Sequence, residues 1–168
     1  ELASFAGTYR LSPIHRARVV QTDGYLQLKI DRGRQNLTPF VESDLYPLSK
    51  TQLATDISEV FLEQHVDNDK LSLVWKDTTY TLTPVDSSYT LPIEDLRAGR
   101  FEKAAQQLRT ARTSGFKLDG WISRAIMEKA DKLEELDRPQ EALPYAKLGV
   151  ELFPKSWRTH SRLAYTYE

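Results

Sequence analysis

The chain has no cysteine in its 168 residues, which removes disulfides, thiolate nucleophiles and cysteine-based zinc sites together and leaves the redox compartment open. An excess of positive charge is also missing. Lys and Arg number 23 against 24 Asp and Glu, and division near Val85 gives 9 basic and 11 acidic residues before it, then 14 and 13 after it. Neither half is a polyelectrolyte, so neither a nucleic-acid groove nor an anionic membrane surface is expected as partner. No apolar run approaches the roughly 20 residues that span a bilayer. Glu1 carries neither an initiator Met nor a signal-peptide pattern, and residues 161–168 read as mid-helix without a stop signal. The expectation is an excerpt from a longer chain with no membrane span.

What is present changes period near residue 85. Up to there, short alternating stretches of β-branched and aromatic residues between turn signals predict antiparallel strands. Residues 17–22 and 25–31 flank Asp23-Gly24, which suits a tight hairpin turn and puts Leu26, Leu28 and Ile30 on one face. Residues 59–66 and 71–76 flank a second turn at 67–70, with Val60 and Leu62 alternating against Phe61 and Glu63, and 78–84 follows through Asp77. With 7–12, 36–42 and short pieces at 45–48 and 52–54, about eight strands are expected, closed into a small barrel or meander that protects their edges.

After Asp86-Ser87-Ser88 the pattern becomes helical, so the predicted organisation is an α+β chain in two segregated parts. A small antiparallel β domain over 1–85 is followed by a linker at 86–91 and helical hairpins over 92–168. Helices are predicted at 92–98, 101–114, 120–136 and 139–153, with a fifth beginning near Trp157. Asp119 and Ser156 suit N-caps, Pro139 suits a first turn, and Pro154 ends a helix.

Ala130 and Leu133 recur as Ala164 and Tyr167 at an interval of 34, with Ala142, Ala146, Val150 and Pro154 between them. This segment resembles the tetratricopeptide repeat, in which small residues mark the contact between two antiparallel helices and a Pro marks the exit of the second. Gly99-Arg100-Phe101-Glu102-Lys103-Ala104-Ala105 is similar to the turn and second helix of a preceding, degenerate repeat. Ala104 lies 38 residues before Ala142, the excess falling in 113–119. A plain helical bundle is the alternative architecture.

The first 85 residues resemble the small, lipocalin-like β domain that follows the catalytic domain in bacterial beta-lactamase-related serine hydrolases. The residues carrying the resemblance are Phe5-Ala6-Gly7-Thr8-Tyr9, Asp23-Gly24-Tyr25-Leu26, and the Leu37 to Glu42 and Asp44 to Pro47 run leading into Phe61. It implies a periplasmic or secreted protein whose active-site serine lies outside this chain, and it carries over no catalytic residue. Pro13-Ile14-His15-Arg16 departs from that pattern as an interruption of the first strand pair.

Other features invite chemical readings. Ser114-Gly115-Phe116-Lys117 satisfies Ser-x-x-Lys, but its Gly opposes a helix and no Lys-Thr-Gly or Tyr-x-Asn accompanies it. His15, His65 and His160 lie in separate elements without metal-ligand spacing, and Asp67-Asn68-Asp69 lacks the Gly and distal Glu of a calcium loop. Glu94-Asp95 and Glu134-Glu135 fit solvated helix faces, and Trp75, Trp121 and Trp157 fit packing roles, an exposed Trp157 being instead a binding anchor.

The expectation is a non-catalytic accessory and protein-protein interaction module without cofactor or metal. Its partner would be a protein or peptide, the parent catalytic domain included. The expected binding face is Arg124, Met127, Glu128 and Asp131 on one helix with Arg158 and Arg162 on the next. The alternative is a small-molecule-binding lipocalin-like barrel with a helical appendage, which a core filled by Leu26, Leu28, Ile30, Leu62, Leu73 and Trp75 would disfavour.

Overall fold

A computed structural model describes residues 2–31, 41–57, 59–65 and 70–167, and divides the chain into two compact units, Glu1–Leu91 and Pro92–Glu168. The parts of the expected strands at 36–40 and 66, and the turn at 67–69, lie outside the described residues.

In the first unit, a short 3-10 turn at Leu2–Phe5 leads into eight strands among the described residues. They are β1 (Gly7–Ser12), β2 (His15–Thr22), β3 (Tyr25–Asp31), β4 (Val41–Pro47), β5 (Gln52–Thr55), β6 (Val60–His65), β7 (Lys70–Trp75) and β8 (Thr78–Pro84). Each strand pairs antiparallel with the next, and β8 returns to β1 through Tyr9↔Pro84 and Arg10↔Thr83, so the meander closes into a barrel. Closure gives every strand a neighbour on both sides, which removes the exposed edges that would template association.

Alternation decides what goes inside. Leu26, Leu28 and Ile30 of β3, Val60 and Leu62 of β6, and Leu71 and Leu73 of β7 are buried in one core, with Trp75 partly buried against it. Leu28, Leu53, Leu62 and Leu73 are 0% exposed. A void large enough for water would leave accessible surface on the side chains around it. At these positions, then, the eight-stranded interior is filled by side chains, as barrels of this width can be.

The opening Gly-Thr-Tyr has a geometric reason. Gly7 and Tyr9 share a face of β1, the Tyr9 hydroxyl donates to the Phe5 carbonyl at 2.9 Å, and a β-carbon on Gly7 would stand 3.0 Å from that hydroxyl oxygen. A side chain at position 7 would therefore require the Tyr9 ring to shift by a few tenths of an ångström. Asp23-Gly24 forms the expected turn, with Thr22 opposite Tyr25 and Gly24 at a φ of 90°.

Two expectations for this unit are corrected. Residues 45–48 are no separate strand, because β4 runs from Val41 through Pro47 with Val41, Ser43 and Leu45 all buried. Pro13-Ile14 is a two-residue turn between Ser12 and His15, with His15 and Arg16 already in β2, and the irregularity in this strand pair lies between Arg10 and Ser12. The Arg16 guanidinium beyond it pairs with Asp31 at 3.2 Å and donates to the Tyr89 carbonyl at 2.9 Å, tying part of the expected linker to the barrel.

The second unit holds five helices among the described residues: α1 (Pro92–Arg97), α2 (Phe101–Thr113), α3 (Gly120–Glu135), α4 (Pro139–Leu152) and α5 (Trp157–Tyr165). Three helix ends share one closing device. Gly99, Gly115 and Asp137 take positive φ, and the next residue's N–H reaches back five positions: Arg100 to Asp95, Phe116 to Ala111, and Arg138 to Leu133. Each such bond satisfies a carbonyl that the helix end would otherwise orphan.

Asp119 and Ser156 occupy N-cap positions as expected, but neither side chain makes a capping hydrogen bond. Asp95 corrects the solvated-face expectation. Its side chain is 0% exposed, with Arg100 Nε at 2.6 Å and Lys103 Nζ at 3.3 Å, so it ties α1 to α2. Ile122, Ile126, Ala130 and Leu133 form the buried stripe of α3, and α4 meets its neighbours with Ala142, Ala146 and Gly149, all buried. Small side chains there let helix backbones approach closely. Ala130 and its partner at the 34-residue interval differ in surroundings, since Ala130 is buried and Ala164 is exposed.

Candidate functional site

The helical unit carries a concave groove of about 520 Å³. It forms between α3 and α5, which run parallel because each is joined to the intervening α4 by a short antiparallel connection. Asp131 and Glu134 of α3 accordingly stand beside Arg162 of α5 and Thr166 just past its end. On α3 the face next to the buried stripe presents Ser123, Arg124, Met127, Glu128 and Asp131, and on α5 the corresponding face presents Trp157, Arg158, Ser161, Arg162 and Tyr165. All six residues expected on the binding face line this groove.

Its charges are distributed unevenly. Arg162 Nε lies 2.7 Å from Asp131 and Arg162 Nη2 lies 2.8 Å from Glu134, whose other oxygen accepts from the Thr166 hydroxyl at 2.8 Å. One end is thus a cluster of one guanidinium and two carboxylates, acidic by one charge, that fixes α5 on α3. Glu134 is part of this tie rather than of a solvated face. At the other end, Arg124 has no carboxylate partner among the described residues, and Arg158 lies over the Trp157 ring with its guanidinium carbon 5.6 Å from the centroid. A cation over an indole face is attracted by the ring quadrupole and keeps its donors for other groups.

Trp157 is 73% exposed and Tyr165 is 68% exposed, so the packing role expected of Trp157 is corrected to that of an open aromatic surface at the groove. Beneath, Met127 is supported by α4. A β-carbon on Gly149 would stand 2.3 Å from the Met127 methyl and 3.3 Å from the Thr159 methyl, so the absence of a side chain at 149 makes room for the thioether. The Gly149 and Glu134 roles escaped the sequence reading, because nothing local in the chain marks a glycine as the seat of a side chain 22 residues earlier.

A second concavity of about 460 Å³ lies among α1, α2, α3 and α4, lined by Arg97, Lys129, Arg138 and Tyr145 among others. Its cations are engaged. Lys129 donates to the Arg97 carbonyl at 3.3 Å, and Arg138 binds Glu141 through two bonds of 2.6 Å, which raise the Arg138 pKa above its ordinary value. Burial raises the Tyr145 hydroxyl pKa, with the Glu141 charge adding to it.

The residues that resemble catalytic or metal-binding groups are placed otherwise. Ser114 caps the C-terminus of α2 and its hydroxyl donates to the Ala111 carbonyl at 2.8 Å, while Gly115 turns the chain out of the helix. His65 Nε2 and Ser72 Oγ are 2.9 Å apart, but Ser72 is buried and closed to a substrate. His15 Nδ1 lies 2.7 Å from Ser12 Oγ, and His160 Nε2 lies 2.9 Å from the Pro154 carbonyl. Among the described residues no three His, Asp or Glu side chains gather as a metal site, and no helix is long and apolar enough to cross a membrane.

No protein-family model matches the chain, and no curated protein and no solved structure matches it. The resemblances to beta-lactamase-related accessory domains and to tetratricopeptide repeats therefore rest on the quoted residues.

Proposed function

We propose that the chain is a non-catalytic interaction module in which the helical unit holds a segment of another protein in the α3–α5 groove. The observation that carries this reading is the groove itself: about 520 Å³, with Trp157 open at one rim and Met127 on its floor. An exposed aromatic beside guanidinium groups is the composition of protein-binding hot spots. The tetratricopeptide-like reading of 92–168 belongs to the same proposal. Buried Ala130 and Ala142 at the small positions support it, as does the sequence of helix, short turn and helix.

The β unit is read as the accessory domain of an exported serine hydrolase related to beta-lactamases, which would put the chain in the periplasm or outside the cell. Its filled interior favours a packing role over storage of a small molecule. In that role the parent catalytic domain is one partner.

Selection from a random peptide display library tests the groove. The full chain is the bait, compared with Ser161→Trp, which fills the groove from an exposed position. Peptides enriched on the chain and lost on the variant are the expected result. Absence of enrichment, or enrichment equal on both, would remove the groove as the binding surface.

A further inference from the structure

We infer that the second concavity, among α1, α2, α3 and α4, binds a small organic carboxylate, its carboxyl group held by Lys129 and the Tyr145 hydroxyl and its apolar body by Leu133 and the Phe101 and Tyr145 rings. The site stands apart from the proposed function, since it shares no lining residue with the α3–α5 groove.

Tyr145 carries the first observation. It is 5% exposed, yet its hydroxyl makes no hydrogen bond among the described residues. A phenol taken this far out of water ordinarily finds a protein partner in exchange. The ring is fixed edge-on to Phe101, with centroids 4.8 Å apart and planes at 60°, and Tyr145 lines the concavity, so a bound molecule can supply the missing partner. Burial and the Glu141 charge raise its pKa, which keeps the proton on the oxygen and makes the group a donor.

Charge supplies the second. Arg97, Lys129 and Arg138 line the concavity against one carboxylate, Glu141, a surplus of two positive charges. The bonds already made do not exhaust their donors. Lys129 gives one of its three N–H groups to the Arg97 carbonyl, and Arg138 gives Nε and Nη2 to Glu141, which leaves Nη1. Gln140 brings in the first turn of α4, where backbone N–H groups have no partner within the helix. Carbonyls that would repel an anion are occupied: that of Leu133 accepts from the Arg138 N–H, and that of Arg97 accepts from Lys129.

Size and lining narrow the guest. Buried Leu133 and the two rings give an apolar surface that inorganic phosphate cannot use, and about 460 Å³ lies within the range of small-molecule sites. A carboxylate matches one ammonium and one hydroxyl with its two oxygens. A phosphate monoester, with a further oxygen and a further charge, would also call on Arg138, which Glu141 already holds.

Nuclear magnetic resonance titration of the full chain tests the site, with benzoate, 1-naphthoate and octanoate as probes and their primary amides as neutral controls. At least one acid should shift the backbone amides around Lys129 and Tyr145 saturably, bind about tenfold tighter than its amide, and weaken as salt is added. Lys129→Gln should erase the preference for the acid. Tyr145→Phe should weaken the acid about three- to tenfold, while its thermal melt matches or exceeds that of the parent because the hydroxyl has no protein partner to lose. Arg124→Gln, in the other groove, should change nothing.

No saturable binding of any acid, equal binding of acid and amide, or shifts centred on Trp157 and Arg158 would overturn the inference. So would Tyr145→Phe binding the acid as the parent does, or phenyl phosphate binding tighter than benzoate. If the melt of Lys129→Gln falls, Tyr145→Phe decides alone.

Discussion

In the β unit, strands close on one another until no edge is left among the described residues and the interior is filled by apolar side chains, whereas in the helical unit helices stack side by side and leave a concave wall and an exposed α5 face. Ion pairs occur in both units. On the barrel, Lys29 pairs with Glu42 across β3 and β4 at 2.8 Å, and Asp31 takes both Arg16 and Arg18 at 3.2 Å. In the groove, Arg124 and Arg158 keep their donors. Closure uses up the backbone and apolar groups that recognition would need, while stacking leaves them available.

The largest expected break in this contrast is Leu62→Ala. The side chain is fully buried in a filled core, so its truncation should destabilise the β unit by about 2–5 kcal/mol, the spread reflecting how far the barrel can collapse. Urea unfolding and amide exchange should show the loss in β5, β6 and β7 with α3 and α4 still protected. Equal loss of protection in α3 and α4 would end the description of two separately packed cores.

A smaller effect is expected at Gly149. Valine there drives a branched side chain into Met127 and Thr159, for about 1–3 kcal/mol of destabilisation. Alanine is the sharper probe. The clash it makes is with the far end of a flexible thioether, so the helix should survive, detected as an unchanged melt, while the Met127 methyl resonance shifts as the side chain moves away from α4.

The smallest effect concerns Arg109 and Glu151, which join α2 and α4 through two bonds of 2.8 Å. The Arg109 hydrogen bond lowers the Glu151 pKa below its ordinary 4.5, with the charges of Arg109 and Arg112 adding to it. The folded state therefore favours the ionised form. Its stabilisation is fully present above that ordinary value and disappears as pH falls through the lower folded-state value. Both side chains are nearly half exposed, so screening limits the contribution to about 0.5 kcal/mol or less. Melts of Arg109→Ala should differ slightly from the parent chain at neutral pH and coincide with it in acid. A difference that grew on acidification would contradict the assignment.

The helices were legible because punctuation and period agree. Pro139 opens α4, Pro154 follows its end, and every predicted helix boundary among the first four falls within one residue of the observed one. The hairpin at Asp23-Gly24 was legible for the same reason. Strand β4 was not, because its inward Ser43 breaks the apolar alternation. That serine is accommodated by Asp56, whose N–H donates to Ser43 Oγ at 3.2 Å and whose carboxylate accepts from the same hydroxyl. Asp95 was misread since a carboxylate in a first turn looks solvated until the turn at Gly99 brings Arg100 and Lys103 onto it.

The groove wall could be found from the 3.6-residue period, being the face next to the Ile122, Ile126 and Ala130 stripe. Which arginine is neutralised could not be found that way. Arg162 meets Asp131 and Glu134 only because α5 runs parallel to α3, a tertiary relation that no local pattern encodes.

Gly149 gives the groove an adjustable depth controlled from behind. A β-carbon at 149 would stand 2.3 Å from the Met127 methyl, so a carbon added there should move the thioether that lines the groove, although Gly149 itself is not part of the lining. The shape of the groove can thus be altered at a position that does not line it. The side chains on the α3 and α5 walls would keep their places while the floor between them changed.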